Sequence, residues 1–219
     1  MNRPFPVNRP GQPSVAMIIL GITVLAYFVQ QAMPTEAIRL FALWPADGQA
    51  PIRFPDGRVH SPGFAPWQLV SYGFLHGGLG HLFFNMFALY MFGRPAEQVW
   101  GPQRFLVYYF VCLVGAGVLQ LVVAAATGSV YPTIGASGAV FGLLLAFGMM
   151  FPNSTIMLLI PPIPMKAKYF VIGYGLLTLY FGLSGTMSGV AHFAHLGGML
   201  FGLGLILYWR HQDRRRRFR

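Results

Sequence analysis

Charged residues and cysteines are scarce in this chain, and both shortages narrow the class of protein. Only 9% of the 219 residues are charged, whereas a soluble globular domain carries about 25%. Together with a mean hydropathy of +0.57, this deficit indicates that much of the surface faces lipid. The single cysteine, Cys112, excludes an intrachain disulfide and a thiolate metal cluster.

Apolar segments dominate the rest of the sequence, and six of them approach the ~20 residues that a helix needs to cross a bilayer. No period of 20–50 residues repeats. The expected fold is therefore an all-α membrane protein with six transmembrane helices. We place these spans at roughly residues 14–33, 80–97, 104–126, 136–151, 167–184 and 189–209.

The segments outside these spans complete the predicted domain organisation. A basic arm, residues 1–13, precedes a six-helix domain over 14–209, and a basic tail, 210–219, follows it. A long outer loop at about 34–79 carries Trp44 and Trp67, which suit a membrane interface. The first apolar segment is long enough to span, so we interpret it as a retained helix and not as a signal peptide.

The net charge of +10 could indicate a nucleic-acid partner, but the positions of the basic residues favour a lipid bilayer. With six spans and both termini cytoplasmic, twelve Lys and Arg lie inside and three lie outside, as the positive-inside rule requires. We therefore expect a multi-pass protein of a bacterial-type plasma membrane that binds no nucleic acid. The sequence does not set its oligomeric state.

Polar side chains within apolar spans are costly in lipid, which makes them candidates for function. His81 and Asn85 share one helical face at i and i+4, near the outer end of the second span. Ser137 opens the fourth span from the outside, and His195 lies about two turns into the sixth. These four side chains are expected in one layer beneath the outer membrane surface.

Small residues indicate how two of the spans pack. Gly138 and Gly142 form a GxxxG pair on the fourth span, and Gly198 and Gly202 lie near His195 on the sixth. Such stripes let helix backbones approach closely in a membrane. The fourth and sixth spans should therefore press together and bring Ser137 towards His195.

This juxtaposition predicts a nucleophile and its base, because a serine needs a base within about 2.6–3.2 Å. None of the five acidic residues is placed to complete a triad, so a Ser–His dyad is expected. The oxyanion would be stabilised by the Asn85 amide, a His81 ring N–H and the Ser137 backbone N–H. No metal or cofactor is expected.

Three motifs resemble those of the rhomboid family of intramembrane serine proteases: "HGGLGHLFFN", "GASGAVFG" and "AHLGGMLFG", in the family's order on the second, fourth and sixth spans. The resemblance implies Ser137 as nucleophile, His195 as general base, and His81 with Asn85 at the oxyanion site. It implies a structural or cavity-lining role for His76. The implied substrates are transmembrane segments of membrane-anchored proteins, which reach a site capped by the loop at 184–190.

The resemblance also identifies an anchor and two departures. Glu97 is similar to an acidic residue that the family carries near the inner end of the second span, and is expected to accept hydrogen bonds. Phe141 replaces a tyrosine that packs on the catalytic histidine, so the ring contact is kept without its hydroxyl. Trp67-Gln68 stands where the family often carries Trp-Arg, which weakens the expected anchoring of the first loop.

The same residues permit three other interpretations. The sequence "HFAH" places His192 and His195 at metal-ligand spacing, but no carboxylate or thiolate accompanies them. A transporter should show inverted repeats and polar groups at the midplane, which the sequence lacks. A catalytically silent rhomboid-like protein that binds membrane clients remains the alternative, because possession of a dyad does not prove turnover.

Overall fold

The computed structural model describes residues 13–46, 51–157, 161–185 and 191–217. Nearly all of the predicted basic arm, most of the predicted cap at 184–190 and the end of the basic tail lie outside these described residues.

The described residues form nine α-helices, which confirms the prediction of a helical membrane protein. A 3₁₀ turn at Tyr72–Phe74 follows the third of these helices, and a π-helical segment at Leu89–Gly93 joins the fourth to the fifth without a break. The α-helices are α1 (Val15–Ala32), α2 (Pro34–Phe41), α3 (Gln68–Ser71), α4 (Leu79–Ala88), α5 (Arg94–Trp100), α6 (Pro102–Thr127), α7 (Ser137–Met150), α8 (Ala167–Ser184) and α9 (His192–Arg217).

Two short antiparallel hairpins, which the sequence analysis did not anticipate, lie between the helices. Strand β1 (Ile52–Arg53) pairs with β2 (Val59–His60), with Ile52 opposite His60. Strand β3 (Thr155–Met157) pairs with β4 (Pro164–Lys166), with Thr155 opposite Lys166. Both are too short to alter the helical class.

Three helices of the described residues are long and apolar enough to cross a membrane: Val15–Ala32, Pro102–Thr127 and His192–Arg216. Helix α7 is apolar but has only 14 residues, about 21 Å at the usual rise, so it cannot reach both surfaces of a hydrocarbon core of roughly 30 Å. The continuous run from α4 to α5 and the 18-residue α8 are compatible with six spans. The count of six stays a prediction.

The sixth helix differs from its predicted bounds. Residues 189–209 were expected, but α9 begins at His192 and continues to Arg217. Arginine is a good helix former, and the polar extension lies beyond the apolar stretch by which a span is recognised. His195 therefore lies in the first turn of α9, and not two turns into the helix.

Helix α1 is held to the bundle by a buried carboxylate. Glu97, on α5, is 1% exposed. It accepts hydrogen bonds from the Ser14 hydroxyl at 2.5 Å and from the backbone N–H groups of Val15 at 2.8 Å and Ala16 at 3.1 Å. These donors belong to the first turn of α1, where backbone N–H groups lack partners within the helix and the helix dipole favours an anion.

The outer loop is better anchored than the replacement of arginine by Gln68 suggested. The Gln68 side chain is buried; its carbonyl oxygen accepts from the backbone N–H groups of Trp44 and Ala65, each at 3.2 Å. Its amide donates to the carbonyls of Gly63 at 3.3 Å and Leu40 at 3.5 Å. A neutral amide can do this because it carries both donors and an acceptor, whereas arginine only donates.

The two loop tryptophans differ in environment, so the interface assignment is wrong for one of them. Trp44 is only 1% exposed, packs against Phe54 at a ring distance of 6.2 Å, and donates its indole N–H to the Ile38 carbonyl. Trp67 is 57% exposed and donates its indole N–H to the Leu40 carbonyl. Composition alone does not distinguish a tryptophan that fills the core of a loop from one at its surface.

Candidate active site

The segment that leads into Ser137 is fixed by backbone hydrogen bonds from two other parts of the chain. Thr133 and Leu43 form an isolated antiparallel bridge, with N–H···O distances of 2.9 and 3.0 Å. The Gly135 N–H donates to the Tyr72 carbonyl at 2.9 Å. Helix α7 then begins at Ser137. Ser137 therefore directly follows a segment whose backbone is held in place by hydrogen bonds.

Two features of Gly135 strongly disfavour any residue with a side chain at this position. Its φ is +117°, a region that side chains with a Cβ rarely adopt. A Cβ at this position would also lie 2.7 Å from Cε1 of the His81 ring. The imidazole of His81 thus rests directly against the backbone two residues before Ser137.

Ser137 and His195 are brought within hydrogen-bond distance. The Ser137 Oγ lies 2.8 Å from the His195 Nε2, and both side chains are partly buried. The two residues come from different helices, α7 and α9, at the end where each helix begins. Among the described residues, no carboxylate forms a hydrogen bond or ion pair with His195.

Close backbone packing explains how two helices bring these side chains together. A Cβ added to Gly198 of α9 would lie 1.8 Å from the Gly138 carbonyl oxygen of α7, so the backbones touch at this point. Gly198 lies one turn below His195, and Gly138 is adjacent to Ser137. Contact between the two glycines therefore sets the separation of the hydroxyl and the imidazole.

The other two glycines of the predicted stripe are arranged differently. A Cβ on Gly202 would meet the Tyr108 hydroxyl at 2.4 Å and the Cys112 sulfur at 3.0 Å, both on α6. A Cβ on Gly142 would meet the same sulfur at 2.4 Å. A Cβ on Gly142 would also lie 3.0 Å from the Gly198 carbonyl oxygen, so this glycine contacts α9 as well as α6, whereas the three atoms nearest to a Cβ on Gly202 belong to α6. That Gly202 packs against the fourth span stays a prediction.

Aromatic rings hold the imidazole of His195 from one side. The Phe141 ring is stacked on it, with centroids 4.1 Å apart and planes 8° apart. Tyr174 of α8 stacks on Phe141 at 5.1 Å, and Phe170 stacks on Tyr174 at 5.5 Å. A row of four stacked rings therefore runs from the imidazole of His195 to Phe170 on α8.

The remaining predicted residues surround the same region. Asn85 is buried on α4, and its amide donates to the His81 carbonyl at 2.9 Å. The His81 Nδ1 accepts from the Gly77 N–H at 3.2 Å. His76 is fully buried with its ring centroid 4.9 Å from that of His81, and no hydrogen bond among the described residues joins Asn85 to Ser137.

His192, the other half of the "HFAH" sequence, packs and does not join the Ser–His pair. Its ring lies 5.7 Å from that of Phe181 and 6.2 Å from that of His195. In the part of the chain that the structure describes, no group of three or more His, Cys, Asp or Glu side chains could hold a metal ion.

Three residues that position the site were missed by the sequence analysis. Tyr72 accepts from Gly135 through its carbonyl and donates its hydroxyl to the Leu113 carbonyl at 2.7 Å. Gln30 of α1 exchanges two hydrogen bonds with the backbone of His76, at 2.9 and 3.0 Å. Tyr174 extends the ring stack. Gln30 could have been found from the sequence, because it is a polar residue in an apolar span. Tyr72 and Tyr174 could not, because nothing in the sequence distinguishes them from the other tyrosines of the ten in the chain.

Comparison with known proteins gives consistent matches. A family profile described as "Rhomboid domain" matches residues 64–212. RHOMBOID-like protein 4 of Arabidopsis thaliana is 36% identical over 149 residues, covering 66% of this chain and 34% of the relative. The Presenilin-associated rhomboid-like protein, mitochondrial, of Rattus norvegicus is 28% identical over 185 residues, covering 80% of this chain and 48% of the relative.

A bacterial relative is named as an enzyme. The Rhomboid protease GluP of Bacillus subtilis is 31% identical over 136 residues, covering 62% of this chain and 24% of the relative. The chain thus matches between about a quarter and a half of the length of these three relatives.

Proposed function

This chain belongs to the rhomboid family, and from that premise we propose that it is a serine endopeptidase that cleaves transmembrane segments of membrane-anchored proteins. Ser137 is the proposed nucleophile and His195 the general base. The observation that carries the proposal is the distance of 2.8 Å between the Ser137 Oγ and the His195 Nε2. The relative named as a rhomboid protease supports the same activity.

The proposed reaction has two symmetrical halves. His195 Nε2 takes the proton of the Ser137 hydroxyl as the oxygen attacks the carbonyl carbon of the scissile bond, and then gives that proton to the leaving amine. Water repeats the sequence on the acyl-enzyme, releasing the acid and restoring Ser137. The stack of Phe141 on the imidazole supports this role, because it restrains the ring plane while leaving Nε2 towards the serine.

Charge on the carbonyl oxygen requires donors that are already in place, and three are proposed. The Ser137 backbone N–H lies in the first turn of α7, where N–H groups have no partner within the helix. The Asn85 amide uses one N–H on the His81 carbonyl and retains a second. His81 supports the proposal through its position against Gly135, next to the path by which a carbonyl would approach Ser137.

Asn85→Ala should slow cleavage by about 10²–10³-fold if its amide donates to the oxyanion. The measurement is the rate of peptide cleavage at saturating substrate, with thermal unfolding as the check that the bundle is intact. Gln120→Ala is the matched control, because it removes a buried amide whose hydrogen bond, at 3.4 Å, goes to the Tyr131 hydroxyl and not to a residue of the proposed site. An unchanged rate in Asn85→Ala would remove this residue from the oxyanion site.

The proposed partners are single transmembrane segments and the lipid around them. A helix keeps its carbonyls in hydrogen bonds, so a substrate segment must unwind locally before Ser137 can attack it. Both termini are proposed to face the side with the more basic loops. A bacterial plasma membrane is not supported as the location, since relatives named as mitochondrial stand beside the bacterial one.

A cleavage assay with the full chain reconstituted in lipid vesicles tests the proposal. Wild-type protein should cut a model single-span substrate within or next to its apolar segment, and Ser137→Ala and His195→Ala should not. Ser129→Ala is the matched control, since Ser129 is a partly buried loop serine whose hydroxyl forms its hydrogen bond with Thr127. Binding of the substrate by wild-type protein without cleavage would instead favour a client-binding, catalytically silent rhomboid-like protein.

A further inference from the structure

A cavity of about 200 Å³ opens at the end of the bundle opposite the Ser–His pair, between the ends of α5, α6, α7 and α9. We refer to it as the basic pocket. One side is apolar, with Met149, Met150 and Ile206, and the rim carries charge. The rest of the lining includes Trp100, Arg104, Trp209, Arg210 and Asp213.

Two tryptophans indicate that the basic pocket lies at the boundary between lipid and water. The Trp100 and Trp209 rings meet edge to face with centroids 5.6 Å apart, and Trp100 also contacts Tyr108 at 4.7 Å. Tryptophan and tyrosine concentrate at the headgroup level of membrane proteins. The apolar side of the pocket therefore faces acyl chains, and its rim faces headgroups.

The rim carries more positive than negative charge. Arg104 donates to both oxygens of Asp213, at 3.1 and 3.3 Å, and its guanidinium lies 5.4 Å from the centre of the Trp209 ring. Asp213 therefore balances one arginine and fixes it in place. Within the described residues, no carboxylate forms an ion pair with Arg210, which also lines the pocket and is exposed.

We propose that the basic pocket binds the phosphate of an anionic phospholipid. Arg210 and the outer edge of Arg104 contact the phosphate, and the first carbons of an acyl chain pack on Met149 and Ile206. Guanidinium groups suit this ligand, since their planar fork donates two parallel hydrogen bonds to phosphate oxygens. The inference stands independently of the proposed proteolysis.

The competing explanation is diffuse attraction between the basic tail and any anionic surface, to which each arginine contributes regardless of its exact place. The two explanations differ in their dependence on position. Arg210 lines the pocket, whereas Arg216 lies beyond it on the exposed end of the same helix. Replacing either residue by glutamine changes the net charge equally.

The experiment counts lipids bound to the purified full chain by native mass spectrometry, with phosphatidylglycerol and phosphatidylcholine of matched chains. Wild-type protein should retain one phosphatidylglycerol in preference to phosphatidylcholine. Arg210→Gln should weaken this binding about tenfold, the effect of losing roughly one charge-assisted contact. Arg216→Gln should change it less than about twofold. Equal losses in the two variants, or no preference between the lipids, would overturn the proposal.

Two further measurements distinguish a specific lipid site from simple charge attraction and from a site for free phosphate. Arg210→Lys keeps the charge and removes the planar fork, so its affinity for phosphatidylglycerol should lie between those of wild type and Arg210→Gln. Inorganic phosphate at millimolar concentration should leave the bound lipid in place. Displacement of the lipid by phosphate would assign the site to the free anion and contradict a lipid site.

Discussion

At the scale of single residues, the proposed chemistry is assigned to side chains that an apolar span should exclude. Ser137, His195, His81 and Asn85 could be selected from the sequence for that reason, because polar groups in lipid are costly unless they have a function. Tyr174 could not be selected, since tyrosine is frequent in this chain. Its position in the ring stack depends on how α8 packs against α7.

The ring stack predicts that Tyr174 positions His195 without touching substrate. Tyr174→Ala removes one aromatic contact of Phe141, which is worth about 0.5–1.5 kcal/mol, so kcat should fall about two- to tenfold while KM changes little. Tyr174→Phe should keep the wild-type rate, because the ring and not the hydroxyl makes the contact.

Tyr180→Ala is the matched control, because Tyr180 lies on the same helix and is 62% exposed. The measurement is steady-state cleavage across substrate concentrations for all three variants. Equal loss of kcat in Tyr174→Ala and Tyr180→Ala would show a general effect on α8, and the positioning role of Tyr174 would be lost.

At the scale of elements, hydropathy located most helices to within a few residues. The predicted span at 104–126 is α6 (Pro102–Thr127), and that at 136–151 is α7 (Ser137–Met150). The π-helical segment at Leu89–Gly93 and the two hairpins could not be predicted. A π segment arises from local packing, and two- or three-residue strands leave no periodic pattern to read.

Contact between α7 and α9 predicts very different outcomes for two glycines of the same helix. Gly198→Ala places a methyl group 1.8 Å from the Gly138 carbonyl oxygen, so the helices must separate. The protein should lose about 1–3 kcal/mol of stability, as overpacked cores do. Gly204→Ala should be nearly neutral, because nothing lies within 4 Å of its added Cβ.

Thermal unfolding in detergent, with cleavage activity measured in parallel, compares these two variants. The account requires a lower Tm and a larger loss of activity for Gly198→Ala than for Gly204→Ala. Similar behaviour of both would mean that close backbone contact does not set the distance between Ser137 and His195.

At the scale of the whole molecule, the sequence indicated a helical membrane protein, and the family match agrees. The anchoring of α1 was only partly predictable. Glu97 was expected to accept hydrogen bonds, but its donors lie 81 to 83 residues away in the chain, in the first turn of α1. Such long-range partners leave no mark in local sequence patterns.

Glu97→Gln should therefore loosen α1 from the bundle. The amide keeps one acceptor oxygen and loses the charge that three donors share, for an expected loss of about 1.5–3 kcal/mol of stability. Glu36→Gln is the matched control: its ion pair with Arg39 is partly exposed, at 39% for the carboxylate side chain, and should be worth about 0–1 kcal/mol. The measurement is the loss of stability on thermal unfolding of both variants. A smaller loss in Glu97→Gln than in Glu36→Gln would contradict the anchoring role of Glu97.

Labelling with a serine-directed fluorophosphonate is the most direct measurement of the central claim that Ser137 is activated by His195. The reagent forms a covalent bond with an activated serine, and peptide mass mapping identifies the labelled residue. The account predicts a single adduct on Ser137 in the wild-type chain and no adduct in Ser137→Ala or in a folded His195→Ala protein. Equal labelling of all three proteins would contradict it.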